Sequence, residues 1–518
     1  MRVSVESLDP RAAYLSDRVQ AGDWDEVITT LDTSWSEMVS ADPEGLREIL
    51  QVIPTEILQR HPRWAYAVQY FDRMVSEGVQ TRYREPAVGA PKSLLDALAR
   101  ATAHAAAARA AGDLAGAVSA VNGARELLDE STPDARRTLT KALPDLTLQW
   151  AMVWEFAGDI DRATHEYVEA YDYAVMTGNL VSEAMAAGAL AWVHAVAGRN
   201  EDARGWLARL PDTREHAWHA RAEIPARLAR TQLLLDRLEL RRARNEFAAI
   251  SAVDAAERWP LRQLLAGLLA EGPAESLQLL VQLDAYARTR PALLSETGMM
   301  RAIFFVARVV LTVGSGDVAR ARDRPAVAVP TAGPLVDALI ASIGMALADR
   351  AGDHERAVAT AGMLRRTATS MPRILIPALG TLAADALRRD DSAEATVLFR
   401  MACGLAAAER LYLPLTLLLP DDLAALHALA PDLLPDGVIE ELLARGVPGR
   451  PDPFRALSRG ERRVFELLLA GLGRAEVAER LVLSTNTVKT QMRSIYRKAG
   501  VNSRAALMEM AREFGYVG

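Results

Sequence analysis

The sequence predicts an all-α protein: a long array of helical repeats followed by a small module of four helices. Three observations carry that reading. Alanine and leucine dominate and strand signals are scarce. A Gly-centred join recurs along the body at intervals of 34 to 46 residues. A Pro/Gly-rich stretch near residue 450 then leads into a segment whose charge is opposite to that of everything before it.

At 518 residues the chain exceeds a single ordinary core, so several domains or a repeat array are expected. Half of the residues are hydrophobic and a quarter are charged, as in soluble globular proteins. The single cysteine, Cys403, excludes an intrachain disulfide and any Cys-rich metal site, which fits a reducing compartment. The opening stretch MRVSVESLDPRAAYLSDRV lacks the apolar centre of a secretory signal, and no run approaches the roughly 18 uninterrupted apolar residues of a membrane helix. A cytoplasmic protein without membrane contact is the expectation.

The repeats are read from their joins. AGDWDEV begins at Ala21, AGDLAGA at Ala111, AGDIDRA at Ala157, AGRNEDA at Ala197 and AGDHERA at Ala351. Weaker versions in the same register are Leu238/Ala243, Gly272/Leu277, Gly314/Ala319 and Asp390/Ala395. Glycine supplies a left-handed helix cap, the following Asp caps the next helix, and the small residue five positions after the glycine lets two helices approach closely. Such units read as helix–turn–helix repeats stacked into a solenoid, and they resemble tetratricopeptide-like repeats without holding the full Trp–Leu–Gly–Tyr signature. The competing reading is a non-repetitive helical bundle whose loops contain Gly-Asp.

Residues 1–90 are helical in pattern but out of phase with the array, and PAVGAP (Pro86–Pro91) reads as a joint. The array is expected over 91–445, a linker over 446–456 around GVPGRPDP, and the terminal module over 457–518. Residues 454–518 carry 12 Lys+Arg against 6 Asp+Glu, a net of +6. The rest of the chain has 48 against 61, a net of −13. A small basic module on an acidic body is the asymmetry of a nucleic-acid-binding tail domain.

The module parses into four short helices. Ser458-Arg-Gly-Glu461 is a capping box that opens the first, which ends before Gly471. The second spans Ala475 to Leu481 and turns at Val482-Leu483. Ser484 or Thr485 caps the third, which runs to about Ala499 before Gly500, and Ser503 caps the fourth, which extends through Phe514. At 100° per residue, Val488, Met492, Ile495 and Ala499 form one stripe of the third helix. Asn486, Lys489, Thr490, Arg493 and Arg497 gather on the opposite face. A helix with one apolar and one basic, hydrogen-bonding face suits the DNA major groove, with Arg474 and Arg480 of the preceding helix placed to meet phosphate.

These residues resemble the LuxR-type helix-turn-helix family. The match runs through Leu457-Ser458, Glu461, Val464, Leu467, Gly471-Leu472 and Glu476-Val477-Ala478. It continues through Leu481, Leu483-Ser484, Asn486-Thr487-Val488-Lys489, Ile495, Lys498, Gly500-Val501 and Ser503-Arg504. Departures are Gly460 for the usual Arg, Arg463 for Glu, Ala475 for a polar residue and Gln491 for the common His; they bear on the target sequence. The resemblance implies that Lys489, Thr490 and Arg493, with Asn486, face bases. Thr487 and Arg497 then contact phosphate, as Arg474 and Arg480 do. It further implies that the fourth helix, through Leu507, Met510 and Phe514, pairs two copies on a two-fold site. Activation, with contact to RNA polymerase, is the mode it implies.

A long repeat body ahead of such a module is similar to the large regulators related to the maltose activator. Those carry a nucleotide-binding domain, whereas the four lysines here follow Pro91, Thr140, Val488 and Arg497, so none has the glycine a P-loop requires before its lysine. No cofactor is expected. The body then senses a small-molecule or protein effector.

Other features point elsewhere. Gly314-Ser-Gly316-Asp-Val-Ala319 follows the apolar run VVLTV and matches a loose dinucleotide fingerprint, but it falls in register with the repeat turns. His216 and His219 stand at i and i+3 without a third ligand at a supporting spacing. No catalytic motif stands out, so no enzyme is expected. Five of the nine tryptophans fall within residues 150–218 with three tyrosines among them. They read either as solenoid core or as a ligand pocket with Trp154, Tyr171 and Trp192 as candidates. An interaction scaffold whose terminal module docks a partner remains the alternative function.

Overall fold

The computed structural model describes residues 10–74, 86, 89–215, 219–250, 256–289, 298–317, 333–446, 454, 457–513 and 516. Among them lie 28 α-helices, and none of them is in a strand. The helices of the body pair into hairpins. Leu94–Ala110 pairs with Leu114–Asp129, Leu143–Ala157 with Ile160–Thr177, Leu180–Ala197 with Asn200–Leu207, and Ile224–Asp236 with Leu240–Ala248. Trp259–Leu269 and Pro273–Thr289 both pack on Met299–Gly314; Pro334–Arg350 pairs with His354–Thr367, and Pro372–Arg388 with Ser392–Glu409. The first helices of successive hairpins also touch one another, which stacks the hairpins into an array.

The joins explain why the chain turns where it does. Gly22, Gly112, Gly158, Gly198 and Gly352 are all left-handed, with φ from +73° to +89°. Leu238 (φ +63°) and Asp390 (φ +60°) take the same conformation without being glycine, at a cost of about 1–2 kcal/mol each. Asp23, Asp113, Asp159, Asp353 and Asp391 each accept a hydrogen bond from a backbone N–H three residues on, capping the following helix. Val27, Ala117, Ala163, Ala203, Ala243, Ala357 and Ala395, five positions after each join, are completely buried. Leu277 departs from that pattern at 55% exposure, and Ala319 lies outside the described residues. At the Gly314 join the left-handed residue is Gly316. Its preceding run VVLTV is helical, so the strand that a dinucleotide fingerprint requires is missing there.

The N-terminal helices have their own apolar core, from Leu15 to Trp64. They are tied to the array by Arg63, which pairs with Asp32 at 2.6 Å and with Asp96 of the first array helix at 3.4 Å. Helix Trp24–Ala41 also touches Leu180–Ala197. That helix has the length and apolarity of a membrane span, but 83% of it is buried inside the fold, as a core helix is.

Distant hairpins also meet. Arg373 reaches back to Asp236, completely buried, with hydrogen bonds of 2.8 and 2.6 Å, and donates to the Ala195 carbonyl as well. Asn200 and Gln232 supply two further donors to the same carboxylate. The Tyr412 N–H donates to the Asp236 carbonyl at 2.8 Å. Gly198 permits this approach: a Cβ there would collide with the backbone nitrogen of Arg373 and lie 2.7 Å from Leu411 Cδ2. A buried Arg258–Glu155 pair at 2.6 Å, with Tyr167 donating to Glu155, closes a second long-range contact. The array thus curls until its later hairpins lock onto its third and fourth.

Candidate nucleic-acid interface

The terminal module is built on a core of its own. Val464, Phe465, Leu468, Val477, Val488, Ile495 and Leu507 are each no more than 2% exposed. Phe454, within the expected linker, stacks on Phe465 with ring centroids 4.5 Å apart and belongs to this core.

The four helices are Arg459–Leu469, Arg474–Leu481, Thr485–Ala499 and Arg504–Glu513. Ser458 and Glu461 form the expected capping box: the Ser458 N–H donates to Glu461 at 2.6 Å, and Ser458 Oγ accepts from the Glu461 N–H at 3.3 Å. Glu476 reaches back to the Gly473 N–H at 2.6 Å and fixes the start of the second helix. The turn to the third helix passes through Val482, left-handed at φ +56° and 92% exposed, an uncommon conformation for a β-branched residue. Ser484, not Thr485, caps the third helix by accepting from the Thr487 N–H at 3.0 Å, and Gly500 ends it in the left-handed conformation.

The third helix separates its faces as its periodicity predicts. Val488 and Ile495 are completely buried, Ala499 nearly so, and Met492 packs partly buried on the same core. Asn486, Thr487, Lys489, Thr490, Arg493 and Arg497 are all exposed, as are Arg474 and Arg480 on the second helix. Among the described residues neither Lys489 nor Arg493 has a side-chain partner, so both cations are presented to solvent. Thr490 Oγ1 donates to the Asn486 carbonyl at 3.0 Å, the Thr487 hydroxyl shares a hydrogen bond with Ser484 Oγ at 2.8 Å, and Arg497 donates to Ser494 at 3.3 Å.

Lys498 is turned away from this face and binds Glu461 at 2.6 Å, joining the third helix to the start of the first. The Lys498 ammonium and the Ser458 N–H hold the Glu461 carboxyl at about 2 against the desolvation that opposes them. Two departures from the family pattern meet in space. A Cβ at Gly460 would stand 3.2 Å from the Gln491 side-chain amide, whose oxygen is buried without a partner.

The pairing candidates fare differently. Leu507 is completely buried in the module's own core and packs the fourth helix onto the other three. Met510 packs partly buried against the same core, and Phe514 lies outside the described residues. In the body, Trp154 and Trp192 are 5% and 2% exposed and belong to the array's main core, while Tyr171, half-buried, meets Trp206 edge-on at 5.4 Å. The two tryptophans therefore face neighbouring helices, as core does. His219 accepts or donates to Thr213 at 2.8 Å and sits 3.4 Å from Glu223; His216 lies outside the described residues.

A helix-turn-helix pair braced by two flanking helices, with a cationic exposed face on its second element, defines the class of module. Comparison with known proteins places it more closely. The family model of bacterial regulatory proteins, luxR family, matches residues 455–511. The chain is 38% identical over 60 residues to the oxygen regulatory protein NreC of Staphylococcus aureus strain JH9, and equally to that of strains JH1 and Mu3. That similarity covers 12% of this chain and 28% of the relative. The chain therefore carries a LuxR-type helix-turn-helix domain at its C-terminus.

Proposed function

We propose that this protein is a cytoplasmic, bacterial-type transcription regulator whose C-terminal domain reads double-stranded DNA and whose helical body senses a small molecule or a protein. The observation that carries the reading is the third module helix: Lys489 and Arg493 project without partners from the face opposite a fully buried apolar stripe. Lys489, Thr490, Arg493 and Asn486 read base edges in the major groove, where Arg and Lys meet guanine acceptors and Asn meets adenine. Thr487, Arg497, Arg474 and Arg480 hold phosphates on either side. Two modules bind a two-fold site, and the body governs whether they are presented together; activation of transcription, through RNA polymerase, is the mode by analogy with the domain family.

Selecting genomic DNA fragments with the full-length protein tests this. Recovery of inverted half-sites at a fixed spacing is the expected result. Recovery of no sequence above a non-specific background would refute the reading.

A further inference from the structure

Where the later hairpins of the array meet its third and fourth, guanidinium groups gather faster than acceptors. Arg204 lies on helix Asn200–Leu207, Arg237 directly follows Ile224–Asp236, and Arg410 directly follows Ser392–Glu409. The Glu201 backbone N–H donates to Glu409 Oε2 at 2.9 Å, which brings two of these segments together although they are 208 residues apart.

The carboxylates at this seam are already engaged. Glu201 accepts from Arg204 Nε at 3.2 Å, and Glu239 accepts from Arg242 at 2.6 Å while lying 3.9 Å from Arg237. Arg237 Nε and Arg204 Nη1 are left buried with no hydrogen-bond partner, and the exposed Arg410 is near enough to act on both Arg237 and Glu201 electrostatically. Burial and then the neighbouring Arg204, Arg410 and Arg242 hold the Arg237 guanidinium below its ordinary pKa, the signature of crowded like charge. A buried donor without an acceptor is destabilising in a folded protein unless something else supplies the acceptor.

We propose that Arg204, Arg237 and Arg410 form a site for a multiply charged oxyanion, which bridges the third and fourth hairpins of the array to a later one. Guanidinium forks match the paired oxygens of phosphate and carboxylate groups, and three forks from three chain segments favour a ligand with more than one negative charge. Because the cations come from both sides of the seam, an occupant holds the array closed. The site names a chemical class for the effector of the body and so extends the proposed function, but its test contains no DNA and stands apart from that reading.

Calorimetric titration of the full-length protein with inorganic pyrophosphate at constant ionic strength is the test. The expected result is saturable binding, weakened at least tenfold by Arg237→Gln and by Arg410→Gln. The double substitution Lys489→Ala/Arg493→Ala, which removes two cations from the exposed face of the third module helix, leaves this binding intact. The exposed position of Arg410 keeps the test usable if Arg237→Gln fails to fold. Parallel titrations with ATP and citrate separate a nucleotide from a tricarboxylate as the better occupant. No saturable binding by any of the three, or binding that survives both arginine substitutions, would overturn the proposal.

Discussion

Lys489 and Arg493 stand about one helical turn apart on a face that nothing in the described structure covers, and both were legible from the sequence. A 3.6-residue period sorts the third module helix into two faces with no knowledge of its neighbours. The same period does not tell what an apolar stripe meets: on a short helix it looks alike whether it folds the module, as Leu507 does, or joins a second copy. At this scale the phosphate and base contacts differ in their signature. Arg480→Ala is expected to weaken binding by a similar factor on all sequences and to lower the salt slope by about one, which binding isotherms across a salt series would read. Glu461 offers a second test. Its folded pKa of about 2 lies below the ordinary value of 4.5, so its pair with Lys498 stabilises the module fully above pH 4.5. That contribution fades as pH falls toward 2. Hydrogen exchange of the module's first and third helices should accelerate through that window, and Lys498→Met should flatten the dependence.

Among elements, the joins were the most readable feature, because a left-handed glycine, an Asp cap and a small buried residue each leave a mark at a set position. Gly178-Asn179 makes the same cap between Ile160–Thr177 and Leu180–Ala197 and escaped the pattern, since it links one hairpin to the next instead of the two helices within one. The long-range lock was not legible at all. Arg373 and Asp236 lie 137 residues apart, and no local periodicity announces that partnership. Arg373→Ala leaves the buried Asp236 charge without its cation and should cost about 3–5 kcal/mol, seen as a lower urea midpoint of the full-length protein. Gly198→Ala should also destabilise, through both its φ of +85° and the collision with Arg373. Unfolding of either variant at the wild-type midpoint would show that the array does not depend on this closure.

For the whole molecule, charge asymmetry gave the earliest functional signal: a net of −13 on the body against +6 on residues 454–518. It is a long-range property, insensitive to how the hairpins pack, and so it needed no structure. What the sequence could not convey is that the body curls back on itself and buries Trp154 and Trp192, because only the packed array decides which aromatic stripe faces a neighbour. The proposed function depends on the third module helix reading DNA. Its most direct test is the affinity of the full-length protein for a selected genomic site, measured across salt concentrations, beside the Lys489→Ala and Arg493→Ala variants. A linear fall of log affinity with log salt is expected, with a loss of about 1–3 kcal/mol of discrimination between cognate and unrelated DNA in each variant. Cognate binding unchanged by both substitutions would contradict it.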